Sequence, residues 1–315
     1  MLSAAERALA LLCTLALLCT LATACGPTVP AGGVRRPDAT RSTVEVDAVD
    51  ALPSDLDLVM RVDLTKVNQG LGPDSARDIV DRALEDAGSR GVLRRALAKA
   101  EVVWLGLRIA DLDAGDRVLV VQHTGGKLKP DPGVWTRARS DGWARFDARR
   151  MPERNGFERI YQPSARELMF VSPVETRSVE RVLSTGADAE RGQPAARGLL
   201  SLDYRATRLS PELAKRFPSL ARLMGGMTRV EATVDMRGGQ VELEGRIRCK
   251  NAGAAQRVLR FLDTIREAGK RSHAELLKDL QVKRGGSTVT VRWPLPRHAV
   301  AQWIARDAAR PEAPP

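Results

Sequence analysis

Cysteine, histidine, lysine and aromatic residues are all scarce in this chain, and each scarcity removes a class of explanation. The 315 residues hold 4 Cys and 3 His. Cys13, Cys19 and Cys25 belong to an apolar leader, which leaves Cys249 alone in the body. One internal Cys cannot build a disulfide framework, so the fold must rest on buried apolar surface. His123, His273 and His298 lie far apart, and none falls in a Cys/His cluster, so zinc-type ligation has no support. Gly-x-Ser-x-Gly and Ser-x-x-Lys are missing as well, which removes the common local serine-nucleophile signatures. We therefore assign no catalytic residue, no metal ligand and no cofactor from the sequence.

Aromatics make up 4% of the chain, and only 9 of its 50 basic residues are Lys. The other 41 are Arg, a bias that reads as genomic base composition rather than as function. A formal net charge of +11 ordinarily raises nucleic acid as a partner. An export leader argues against that and turns attention to an anionic envelope component: lipid headgroups, lipopolysaccharide or cell-wall polymer. A solvated Arg-rich surface with no specific anion is the plainer alternative.

The stretch that is present in force is the leader. Leu9 to Ala24 runs without a charge or a backbone breaker. Sixteen residues rise roughly 24 Å as a helix, short of the ~30 Å hydrocarbon core, so the run suits a signal-peptide h-region better than a membrane span. Ala22-Thr23-Ala24 supplies the small residues a signal peptidase needs, and cleavage before Cys25 follows.

Leu21-Ala22-Thr23-Ala24-Cys25 resembles the lipobox of bacterial lipoproteins, with Leu21 one place further from the Cys than the usual pattern has it. The resemblance implies a signal peptide over 1–24 and a lipidated mature N-terminus at Cys25. It implies more than one acyl chain, hence stable anchoring to a membrane. With Gly26 after the Cys, it also implies an outer-membrane address, facing the periplasm or the surface. Residues 25–46, rich in Pro, Gly, Thr and Arg, read as a flexible tether with a reach of roughly 25 Å.

The body is expected to be α+β, with two related units of antiparallel sheet and helices packed on one face. The first unit spans 47–190 and the second 195–306, ahead of a disordered tail over 307–315. Each unit opens on a strand, Leu56 to Leu64 and Leu199 to Tyr204. Helices are expected over Pro73 to Ala87, Ser89 to Ala100, and from a capping box at Ser172-Pro173-Val174-Glu175. The sharpest local reading is a hairpin turning at Gly238-Gly239. Counting out from that turn sets Met236 opposite Val241, Val234 opposite Leu243, Val230 opposite Ile247 and Glu231 opposite Arg246. Asn251 should cap the next helix, and Gly285-Gly286 should turn a second hairpin. Leu52-Pro53-Ser54-Asp55 with Val62-Asp63-Leu64 is similar to openings in uncharacterised exported bacterial α+β proteins, which implies no activity.

Two stretches imitate sites. His123 to Lys127 looks like a phosphate loop but lacks the glycine spacing and the Ser/Thr after Lys, so it reads as a turn. Asp111, Asp113 and Asp116 start like a calcium loop but meet Gln122 where a Glu is needed, so they too read as a turn. One region interleaves aromatics with Arg: Trp135, Arg137, Arg139, Trp143 and Arg145. Such a surface can bind anions or stack on planar and sugar rings, and it is the candidate binding patch. A hairpin with its Trp side chains turned inward is the competing reading. The expected function is a membrane-tethered envelope lipoprotein that binds or scaffolds, with an envelope hydrolase or a lipid or anion carrier as alternatives and no identifiable protein partner.

Overall fold

The computed structural model describes residues 47–87, 91–108, 117–138, 143–148, 158–186, 197–205, 214–215, 218–269, 277 and 279–308. The leader, Cys25, the tether, the Asp111–Asp116 turn, Arg139, His273 and residues 309–315 lie outside that set. The fold is mixed α+β with antiparallel sheet. In chain order come β1 (Leu58–Asp63), α1 (Leu64–Leu71), α2 (Pro73–Ala87), α3 (Gly91–Leu97), β2 (Ala100–Leu107) and β3 (Arg117–His123). Then follow β4 (Trp135–Ala138), β5 (Ala144–Ala148), β6 (Arg159–Gln162), β7 (Glu167–Val171), α4 (Thr176–Thr185) and β8 (Leu200–Arg205). The chain ends with α5 (Pro218–Met224), β9 (Met227–Arg237), β10 (Gln240–Cys249), α6 (Ala252–Gly269), β11 (Gln281–Gly285), β12 (Thr288–Pro296) and α7 (Arg297–Ala308).

Contacts group the body into two compact units, and the grouping differs from a linear cut near residue 190. Asp57–Asp86 joins Gln193–Pro315 in the larger unit, while the smaller holds Ala87–Gly192 and the stretch ending at Leu56. The reason is strand pairing. β1 lies antiparallel to β8, with Leu58 opposite Tyr204, Met60 opposite Leu202 and Val62 opposite Leu200.

In the larger unit the strand order is β11-β12-β10-β9-β8-β1, antiparallel throughout. The β9–β10 hairpin turns at Gly238 and Gly239, whose φ angles of +56° and +79° are open to glycine and unfavourable to other residues. Its register agrees rung by rung with the sequence count, Glu231 facing Arg246 included. Gly285 pairs with Thr288, so the second hairpin turns at Gly286-Ser287, one residue later than expected. Alternation sends Val230, Val241, Ile247, Cys249 and Val289 to one face. On that face α6 contributes Ala254, Ala255, Val258 and Leu262 to a core shared with Met227, Cys249 and Val289. Asn251 caps α6, its Oδ1 accepting from the Ala254 N–H at 2.9 Å.

β1 runs straight into α1 because Asp63 is both strand end and cap. Its Oδ1 accepts from the Lys66 N–H at 3.0 Å, and its Oδ2 pairs with buried Arg61 at 2.7 Å. α1 was not expected from the sequence. Gly72 follows it at φ +103°, and α2 then begins at Pro73.

In the smaller unit the order is β2-β3-β7-β6-β5-β4, again antiparallel. Both faces are buried where β3, β7 and β6 meet: Val118, Val120, Met169 and Val171 line one, Val121, Leu168, Phe170 and Ile160 the other. α3 falls within the helix expected over Ser89 to Ala100, and its four apolar residues Val92, Leu93, Ala96 and Leu97 are all buried. The expected capping box does not form. Ser172 Oγ accepts from the Arg117 N–H at 3.1 Å, and fully buried Glu175 takes a two-pronged bond from Arg108 at 2.8 and 3.2 Å. With both side chains engaged elsewhere, the helix starts at Thr176. Arg108 also reaches Asp55 at 3.1 Å, tying the opening turn to the end of β2.

Gly198 holds the entry to β8 at φ +78°, and a Cβ there would collide with the Val234 carbonyl oxygen. Gly198→Ala should therefore lower stability by about 2 kcal/mol or more, because strain and backbone contact act together. Gly126→Ala, with open space around the added carbon, should be near neutral. Urea denaturation of the two variants makes the comparison.

Candidate functional site

The aromatic and arginine patch is a real hairpin, but its members do not share one surface. β4 pairs with β5 so that Trp135 faces Ala148 and Arg137 faces Phe146, while Ala138 faces Arg145. Trp135 and Arg137 therefore point one way and Arg145 with Asp147 the other. Trp135 is buried, Arg137 is exposed, and Trp143 is half-buried just before β5. Arg145 is already engaged, with Asp147 at 3.0 Å and Glu180 of α4 at 3.1 Å. Arg159 closes the cluster by bonding the same Glu180 and by reaching Asp147 at 3.2 Å. Buried Tyr161 lies on this face, and burial pushes its hydroxyl above the usual tyrosine range. Arg139 lies outside the described residues.

A more open polar surface lies in the larger unit, on the sheet face opposite α6. Register places Ser201, Asp203, Glu231, Thr233, Glu244, Arg246, Thr290 and Arg292 side by side across β8, β9, β10 and β12. With Arg197 and Arg229 they line a shallow depression of about 490 Å³. Asp203 is 1% exposed and is held by a bidentate bond from Arg229 at 2.7 and 3.0 Å. Glu231 does not pair with the Arg246 directly opposite; Arg229 and Arg248 each approach it at 3.4 Å. Glu244 is met by Arg237 at 2.8 Å. Beside them buried Glu242 is bonded by Arg292 and reached by Arg237 at 3.1 Å. The sequence count placed one charged pair, Glu231 and Arg246, on this face. It did not show which charges would neutralise each other, because diagonal neighbours are chosen by side-chain reach rather than by register.

Among the described residues no group of three or more His, Cys, Asp or Glu is placed to hold a metal ion. His123 is 1% exposed, and burial holds its imidazole below the usual range. His298 sits on the surface of α7. Cys249 is buried in the α6 core, where burial raises its thiol and keeps it protonated.

No family model and no curated protein matches this chain. Its fold is similar to that of a protein named TP0453. Crystal form I of TP0453 aligns with a TM-score of 0.50 at 9% identity, covering 84% of this chain and 98% of that one. Crystal form III gives 0.50 at 11% identity, over 83% and 99%. At such identities the likeness is one of fold alone.

Glu242 supplies a pH test. The hydrogen bond from Arg292 holds its carboxyl below the ordinary 4.5, against the opposing cost of burial. A depressed folded value means that this stabilisation is complete above the unfolded pKa and is lost as pH falls through the folded one. Glu242→Gln should therefore flatten the acid limb of thermal stability below about pH 5, read by melting temperature.

Proposed function

We propose that the chain is a lipid-anchored protein of a bacterial cell envelope that acts by binding an anionic envelope component rather than by catalysis. The observation that carries this reading is the continuous apolar run from Leu9 to Ala24 ending at Cys25, followed by the Pro- and Gly-rich stretch to residue 46. On this reading Cys25 becomes the acylated N-terminus, Gly26 directs the protein to the outer membrane, and residues 25–46 hold the body clear of the headgroups. The surplus of arginine fits an anionic partner in that compartment, and nucleic acid is not among the candidates.

We propose also that the two units repeat one plan. β2-β3-β7-β6 and β9-β10-β12-β11 are the same arrangement: a hairpin whose second strand is joined by the later strand of a second hairpin. A helix follows each, α4 in one case and α7 in the other. α6 fills the place in the second plan where β4 and β5 stand in the first.

A second reading, a carrier of lipid, is favoured by one observation. Leu202, Ala232, Val234, Leu243, Val291 and Trp293 on the apolar face of the larger unit are only half-buried.

Intact mass of the native, membrane-extracted protein tests the anchor. Residues 25–315 plus acyl groups are expected, with detergent-phase partitioning lost in Cys25→Ala. A cleaved chain of unmodified mass would refute the anchor.

A further inference from the structure

The polar face of the larger unit holds more positive charge than its acids can use. Asp203 and Glu231 are met by Arg229 and Arg248, and Glu242 and Glu244 by Arg292 and Arg237. Arg197 and Arg246 line the same depression, are exposed, and have no carboxylate partner among the described residues. A second, independent observation lies on the floor. Ser201 is 1% exposed, lines the depression, and its Oγ has no hydrogen-bond partner. A buried hydroxyl left unmatched costs stability unless something arrives to use it. Thr233, directly opposite on β9, sets a second hydroxyl beside it.

We infer that this face is a binding site for a phosphate monoester, its dianion set against Arg197 and Arg246 with one oxygen taking the Ser201 hydroxyl. The guanidinium fork matches a phosphoryl group, and two unmatched forks answer two negative charges. The acids already carry their own arginines, so they do not repel the ligand at full strength. A depression of about 490 Å³ exceeds a bare ion and suits a headgroup or a small phosphorylated polyol. No aromatic side chain lies among its lining residues, which disfavours recognition by ring stacking. The site gives the binding reading its ligand class and rests on that reading. Lipid attachment is measured by mass and binding by heat, so either can fail alone.

The test is calorimetric titration of the full protein in neutral detergent. The probes are glycerol 3-phosphate and dihexanoyl phosphatidic acid, with dihexanoyl phosphatidylcholine as the blank. Saturable binding is expected, weakened about tenfold or more in Arg197→Gln/Arg246→Gln. It should be unchanged in Arg260→Gln/Arg284→Gln, which removes the same charge from exposed positions outside the depression. Ser201→Ala should keep or raise the melting temperature, since its hydroxyl bonds nothing, yet weaken binding. Equal binding of the soluble ester and the lipid would mark a soluble phosphate ester as sufficient, and binding of the lipid alone would mark a membrane headgroup. No saturable heat with either probe, or equal losses in the two double variants, would overturn the proposal.

Discussion

The pairing of β1 with β8 is the long-range constraint that completes the sheet of the larger unit. The two strands are separated by more than a hundred residues of chain, yet Leu58–Val62 lies against Leu200–Tyr204 rung for rung. The ladder continues past its ends, with Asp63 N–H donating to Leu199 and Arg205 N–H donating to Asp57. Closing such a long loop costs entropy before any contact returns it, so this pairing should form late and hold cooperatively. No disulfide supports it, since Cys249 is free. Burial must do so: Leu58, Met60 and Tyr204 on one face, Val59, Ser201 and Asp203 on the other.

The same ladder explains why charges sit so deep. Arg61 and Asp63 are both buried and bonded to each other, and Asp203 is buried against Arg229. Ion pairs of this kind add little over well-packed apolar residues, but removing one partner strands a buried charge at about 3–5 kcal/mol. They therefore specify register more than they add stability. A slip of one residue in β8 would bring Asp203 to the apolar face and leave Arg229 without its carboxylate. Part of the arginine on both units is engaged with acids, Arg108 and Arg145 in the smaller and Arg229, Arg237 and Arg292 in the larger. What remains unpaired on the polar face is small, and that is what makes Arg197 and Arg246 informative.

Local patterns in the sequence were read well where geometry is local. The Gly238-Gly239 hairpin, the Asn251 cap and the α3 stripe each follow from a few adjacent residues, and all three are present. Patterns that depend on distant partners were not legible. Ser172 and Glu175 have the spacing of a capping box, but the Arg117 N–H of β3 and the Arg108 side chain just past β2 engage them instead. Arg145 and Trp135 looked like one surface in sequence, whereas a two-residue period separates them to opposite faces of a hairpin. The polar face could be recognised as charged but not as a site. Its meaning lies in which guanidiniums stay unmatched and in one unpartnered Ser201 hydroxyl, and both are properties of the assembled sheet.

The proposed phosphate-ester site lies on the polar sheet face, apart from the Trp135–Ala148 hairpin that the sequence offered as a binding patch. Hydrogen–deuterium exchange with and without glycerol 3-phosphate or dihexanoyl phosphatidic acid separates the two most directly. Added protection is expected, confined to residues 200–205, 229–233 and 244–246, with the 135–148 hairpin unchanged. Protection in that hairpin with none on the polar face would contradict it.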